Sequence, residues 1–425
     1  MTLDRLNAPA FVDLEPFTLI KPDKLNTASG LTAFILEQGQ QEVCRLEITF
    51  PAGKWYEPYG GVSYFTSKLL AEGTKKNSSS AIQQIIAQYG SFFEVNPGND
   101  QVTLSIFCLS RYLKPMLALL EEMIEEPLLD AEELHKLKSQ ARQNYALNLN
   151  KTSYLAGRAY TRLLFGDQHP YGRVLDDQTI EKVSLDDIKK FHQHAFHWNQ
   201  ASVFVSGKGE AGMKAFLEEW MKRKNIQGPL KGKLSFESPR PVAQSIKVEK
   251  EGAVQSSVKA GFFIPSRVDA VFPALYMYNE IFGGYFGSRL MQNIREDKGF
   301  TYGIHSAMVQ DIHTSYWSVQ TDVNGDNAEA TVREIKFEMQ RMQDELVSED
   351  ELKVVKNYII GSFISSLDTP FSFMDRFKAT YFNELGDQYY EELMKKLLAV
   401  TSHEIQEAAK KYFDPQQLNV VIAGK

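Results

Sequence analysis

Apolar and polar residues alternate over Gln101–Cys108, where Val102, Leu104, Ile106 and Cys108 share one face, and this predicts a half-buried strand. Two longer stretches, Arg111–Glu126 and Asp130–Asn150, carry apolar residues at helical spacing with polar outer faces; Pro127 breaks them apart and Asp130 opens the second. The same period predicts helices over Phe272–Phe282, Ser288–Lys298, Ala328–Glu345 and Ser348–Ser366, and a further helix opening in Gly60–Thr74.

The pattern repeats. Val183–Lys208 aligns without a gap on Val400–Lys425, with identities at Val183/Val400, Ile188/Ile405, Phe196/Phe413, Gln200/Gln417, Val203/Val420, Gly207/Gly424 and Lys208/Lys425. Each copy reads as a Ser or Thr cap (Ser184, Thr401), an amphipathic helix, a polar turn and a β-branched strand ending in Gly-Lys. Upstream, Glu133-Leu134 matches Glu351-Leu352 and Gly166-Asp167-Gln168 matches Gly386-Asp387-Gln388 at nearly the same offset. The chain therefore reads as a tandem duplication: a first domain over 1–226, a linker over 227–244 rich in Gly, Pro and Lys, and a second domain over 245–425. Mixed strands and paired helices predict an α+β class, two homologous α/β sandwiches whose helices pack on a mainly antiparallel sheet.

Composition narrows the function without naming it. At 425 residues, 24% charged and 43% hydrophobic, the chain has the make-up of a folded globular protein with more than one core. Its 47 Lys and Arg against 54 Asp and Glu leave a net charge of −7, the wrong sign for a general nucleic-acid binder. Cys44 and Cys108 sit in strand-like runs and read as small buried hydrophobes rather than a disulfide framework. With neither a signal peptide nor a membrane-spanning run in view, the expected location is cytoplasmic.

Most chemical motifs are missing. The sequence has no G-x-S-x-G elbow, no P-loop and no G-x-G-x-x-G following a strand. His192, His194 and His197 lie close together, but on a helix His192 points about 200° away from His194, so they read as surface or packing residues. Two segments stand out: Gly60–Thr74 (GGVSYFTSKLLAEGT) and Arg295–Tyr302 (REDKGFTY), the latter following the Gly-rich Phe282–Leu290 (FGGYFGSRL).

Tandem α+β copies with a helix at Gly60–Thr74 resemble the pitrilysin/insulinase-type metallopeptidases, the inverzincins, whose first copy carries H-x-x-E-H on that helix. Gly61, Phe65, Gly73 and Thr74 are in the family's register, but Tyr64, Ser67 and Lys68 stand where the family has its two zinc-binding His and its Glu. The family's third ligand is a Glu on the later long helix, and the matching stretch Arg142–Asn150, with Asn144 at the degenerate position, has no acidic residue. A phenol, a hydroxyl and an ammonium do not replace two imidazoles and a carboxylate. No catalytic residue, metal or other cofactor is therefore expected here, and zinc only in a partner.

The second copy resembles the family more fully. Arg295 and Tyr302 match the R-E-x-x-G-x-x-Y pattern that supplies an Arg–Tyr pair for substrate carbonyls, and both donate hydrogen bonds suited to a carbonyl or its oxyanion. Gly283 and Gly284 of the Gly-rich turn, and Glu94 and Val95 as a possible edge strand for a peptide backbone, complete the expected substrate-binding set. The resemblance implies a non-catalytic, substrate-binding subunit of a pitrilysin-like zinc metallopeptidase. Such a subunit would bind unfolded peptide in a chamber closed by a zinc-bearing subunit of similar length, with no membrane partner and no hydrolysis on its own. The competing expectation is a homodimeric structural or peptide-binding scaffold.

Overall fold

A computed structural model describes residues 19–26, 31–224, 226, 234–237 and 242–425, so most of the predicted linker 227–244 lies outside the described residues. The first sheet contains β1 (Asp23–Asn26), β2 (Thr32–Glu37), β3 (Val43–Phe50), β4 (Phe92–Pro97), β5 (Val102–Leu109) and β6 (Ser202–Gly207), in the order β1-β2-β6-β3-β5-β4. The second contains β7 (Ser245–Glu249), β8 (Gln255–Phe263), β9 (Thr301–Gln310), β10 (Ser315–Asn324) and β11 (Asn419–Gly424), in the order β7-β11-β8-β10-β9. Without β1 the two orders match strand for strand. Each sheet has one parallel pair, β2 with β6 and β7 with β11, and its other pairs are antiparallel.

Local chemistry accounts for the helix starts. Ser184 and Thr401 each close a capping box, with Asp187 and Glu404 respectively, at the heads of helices Leu185–Ala195 and Ser402–Tyr412. Asp130 accepts from the backbone of Glu132 and Glu133 and starts the helix Ala131–Asn148. The helix predicted over Phe272–Phe282 differs from expectation: it is α-helical over Phe272–Asn279 and widens to a π-turn over Glu280–Gly284. The one predicted over Ser288–Lys298 is π-wound over Met291–Asp297. Such wide turns hold an extra residue without breaking the helix, and sequence periodicity does not reveal them.

Each sheet packs one face on helices of its own half. Its other face is covered by a helix from the opposite half. The helix Thr152–Phe165 of the first half lies across β11, β8 and β7, burying Ala156, Tyr160, Leu164 and Phe165 with Val421 and Ala423. The helix Pro370–Phe382 of the second half lies on β6 and β2, with Met374 against Phe34, Leu36 and Phe204. The two begin 218 residues apart, at 152 and 370, and so are duplicates exchanged between the halves.

Fixed contacts register the exchange. Gly261 lacks a side chain where a Cβ would collide with the Tyr160 hydroxyl and the Trp317 carbonyl, and Tyr160 donates to that carbonyl at 3.3 Å. On β3 the buried Arg45 meets Asp375 at 2.8 and 3.1 Å, and the buried Glu47 meets Lys378 at 2.6 Å. Two charges of the first sheet are thus completed by the other half's helix. At the end of the first half, Lys224 is enclosed by the indoles of Trp198 and Trp220, 4.8 and 5.1 Å from its ammonium, and by the carboxylates of Glu121 and Glu125.

Tyr160→Ala removes an aromatic ring shared between the halves and should destabilise the protein by roughly 3–5 kcal/mol. Calorimetry should still show one transition, because the exchange couples both sheets; two separated transitions would mean that it does not.

Candidate functional site

The helix Val62–Leu69 begins after Gly61, whose φ of 97° is left-handed, and presents Tyr64, Ser67 and Lys68. Tyr64 is half-buried, packed edge-on against Phe65 at 5.1 Å, and burial pushes its phenol pKa up. Ser67 is fully buried and its hydroxyl donates to the Ser63 carbonyl at 2.7 Å. Lys68 reaches across to β4, the outer strand of the sheet, and donates to the Val95 carbonyl at 3.3 Å. Asn144, on the helix Ala131–Asn148, is exposed.

A zinc ion implied by the family does not fit these residues. The one buried hydroxyl is already committed to its own helix, and the ammonium puts a positive charge at the position of a ligand. Among the described residues no group of three or more His, Cys, Asp or Glu side chains could hold a metal ion. His192 is turned inward, with Nε2 2.9 Å from the Ile124 carbonyl and its ring stacked on Phe196, and burial lowers its pKa. It is a packing histidine. Cys44 and Cys108 are buried and face each other across β3 and β5, Sγ to Sγ 3.6 Å.

At the head of the Val62 helix, Glu57 accepts the Ser63 N–H at 3.0 Å. Burial pushes its pKa up to about 7, against the opposing pull of the Ser63 bond and of the Arg173 and Lys54 charges.

In the second half, Arg295 and Tyr302 come together as walls of one open cleft, with Val254, Gln255, Phe300 and Asn324. Tyr302 is 95% exposed. Arg295 lies over the exposed ring of Phe286, 4.6 Å from its centre, and 3.7 Å from the Glu296 carboxylate. Sequence pattern does not single out Phe286, which lies two residues after Gly284 and nine before Arg295, because its pairing with Arg295 depends on the π-turns between and around them.

Gly283 and Gly284 serve close packing in this structure. A Cβ on Gly283 would lie 2.7 Å from the Ser306 hydroxyl of β9, and one on Gly284 would lie 2.6 Å from the Glu280 carboxylate. Glu280 itself is buried and its pKa is pushed up to about 7 by burial, partly opposed by the Asn279 amide. On the first sheet's edge, Val95 points its side chain into the core and Glu94 is half-exposed. The Val95 carbonyl already has Lys68 as a partner.

Two duplicated sandwiches with exchanged helices, a filled zinc helix and an Arg–Tyr cleft define a degenerate metallopeptidase of the insulinase type. The chain belongs to that family: residues 33–161 match its model described as insulinase (peptidase family M16), and residues 182–359 match the model described as peptidase M16 inactive domain. It is 22% identical to an "Uncharacterized zinc protease" of Rickettsia bellii, over 93% of this chain and 95% of that one. It is also 22% identical to the "Non-peptidase homolog YmxG" of Helicobacter pylori, over 86% and 84%. In fold it is similar to a peptidase M16 inactive domain from Pseudomonas fluorescens, with TM-score 0.86, 23% identity and 95% and 98% coverage. A protease from Helicobacter pylori gives TM-score 0.88 at 19% identity, covering 96% and 100%. Among the described residues no helix is long and apolar enough to cross a membrane.

Two measurements test this site. Glu57 and Glu280 bind protons more tightly folded, at about 7, than at the ordinary value of 4.5, so the native state holds more protons than the unfolded one between those limits. Stability should fall as pH rises from about 4.5 to 7, by roughly 3 kcal/mol for each carboxyl, and Glu280→Gln should flatten its share in denaturant titrations. A slope unchanged by Glu280→Gln would show its carboxyl to be better solvated than its burial implies. After equilibration with zinc and desalting, the chain should retain well under one equivalent by atomic emission. A full equivalent, lost when the Val62 helix is mutated, would overturn the assignment.

Proposed function

We propose that this chain is the non-catalytic, substrate-binding subunit of a pitrilysin-like zinc metallopeptidase. It holds unfolded peptide in a chamber formed with a zinc-bearing subunit of similar length. The observation that carries the reading is an asymmetry. The first half fills its zinc helix with groups that do not bind metal, while the second keeps Arg295 and Tyr302 on one accessible cleft.

A guanidinium and a phenol both donate, so together they can grip a peptide carbonyl and strengthen their hold as it becomes an oxyanion. The metal and the water it activates come from the partner; this chain orients the carbonyl. The Phe286 ring keeps Arg295 over the cleft, and the π-turn over Met291–Asp297 sets the guanidinium beside the start of β9. The relative named a non-peptidase homolog and the match to an inactive-domain model support the non-catalytic half of the reading.

The test mixes the chain with a zinc-bearing subunit and follows a quenched peptide. Arg295→Ala should lower turnover by roughly 100-fold with the complex intact on native mass spectrometry, and Tyr302→Phe should lower it less. An unchanged rate removes Arg295 from the site. A chain that forms only homodimers and never joins a zinc-bearing subunit would be a scaffold instead.

A further inference from the structure

The exchanged helix Thr152–Phe165 covers β11 and β8 but leaves outward-facing positions of the next two strands open. Gln320, Asp322 and Asn324 on β10 and Gly303 and His305 on β9 are exposed. Strand register aligns three side chains across this face: Lys259 on β8 pairs with Gln320 on β10, which pairs with His305 on β9. Neighbouring strands lie about 4.8 Å apart, so Lys259 and His305 flank Gln320 within reach of one small ligand.

Lys259 is the unusual member of this row. It is half-buried against the Tyr160 ring, 5.3 Å from its centre, and among the described residues it makes no ion pair. Burial lowers its pKa, and partial burial, with the Lys259 charge adding to it, lowers that of His305. A desolvated ammonium without a counter-charge is stabilised by an anion that enters beside it.

The cleft in front of it is lined by Lys151, Tyr154, Lys259, Gly303, His305 and Asp322. Two lysines thus face one carboxylate, and that of Asp322 already accepts from the Ser257 hydroxyl. Asp322 also lines the Arg295–Tyr302 cleft, so the two share a wall. We infer that Lys259, with Lys151 and His305, forms a carboxylate-binding subsite that takes the terminal or an acidic side-chain carboxylate of a peptide gripped at Arg295 and Tyr302. Lys259 supplies the charge and His305 a ring N–H; Gln320 between them orients the ligand. The assignment rests on the peptide-binding reading above and extends it by naming which peptides are preferred.

Fluorescence anisotropy with three labelled unstructured peptides separates the sources. One has a free C-terminus and no Asp or Glu, one is its amide, and one is the amide with a single internal Glu. The free acid or the Glu peptide should bind about 10-fold more tightly than the plain amide, and Lys259→Gln should abolish that preference. Preference for the free acid identifies a terminus, and preference for the Glu peptide a side chain.

Equal affinities for all three in the unmodified protein overturn the subsite. Peptide binding that Arg295→Ala does not weaken overturns the carbonyl grip instead. The imidazole proton resonance of His305, assigned with His305→Gln, gives a readout independent of that grip. It should shift saturably with N-acetylglycine but not with N-acetylglycinamide, and the shift should vanish in Lys259→Gln; no shift with the acid overturns the subsite even where peptides fail to bind.

Discussion

A β-sheet has two faces, and in this chain the helices of each half cover only one of them. The second face is sealed by a helix lent from the opposite half, Thr152–Phe165 across β11 and β8 and Pro370–Phe382 across β6 and β2. Everything else in the architecture follows from that exchange. Tyr160 and Met374 are core residues only because of it, and the buried Arg45 and Glu47 find Asp375 and Lys378 only because of it. Arg45 and Glu47 also pair with each other at 3.1 Å, so separating the halves would expose apolar surface and remove one opposite charge from each of two buried ions at once.

The same constraint shapes the site. Since the Thr152 helix meets β10 only near its start, at Tyr316 and Trp317, Gln320, Asp322 and Asn324 of β10 and Gly303 and His305 of β9 stay accessible, and Tyr302 emerges at the end of that open strip. The Gly-rich turn is pressed onto β9 through Gly283 and Ser306, which leaves no room for a side chain. The two π-turns on either side of it set Phe286 and Arg295 against one another. The turn and the Phe286 ring thus fix the Arg295 guanidinium on the same cleft as the exposed Tyr302 phenol.

Much of this was legible in the sequence where its cause is local. The caps at Ser184, Thr401 and Asp130 and the alternation of β5 depend on residues a few positions apart, and the duplication shows because those local patterns recur about 217 residues later. Arg295 and Tyr302, picked out by their resemblance to the family's R-E-x-x-G-x-x-Y pattern, line one cleft. What could not be read depends on non-local register. The period of Ala156, Tyr160 and Leu164 says that a helix face is buried but not against which sheet. The row Lys259–Gln320–His305 exists only once three strands are paired, and the enclosure of Lys224 by two tryptophans needs the helix carrying Trp220, the residues just after it and the turn at Trp198 to converge. The π-turns escaped because the residue types within them are those of an ordinary helix.

The first half's departure from its family is more than a missing ligand. Removing a histidine weakens a metal site; placing an ammonium there opposes the metal directly. At an effective dielectric of about 20, a divalent cation about 4 Å from the Lys68 nitrogen would meet a repulsion of roughly 8 kcal/mol, comparable to the whole binding energy of a micromolar ligand. Lys68 instead satisfies the Val95 carbonyl, and Ser67 turns its hydroxyl back into its own helix, so both positions are integrated into the fold. Restoring a histidine at one of them would leave the other still closed. On the proposed reading, a carbonyl held at Arg295 and Tyr302 therefore meets a metal carried by another chain.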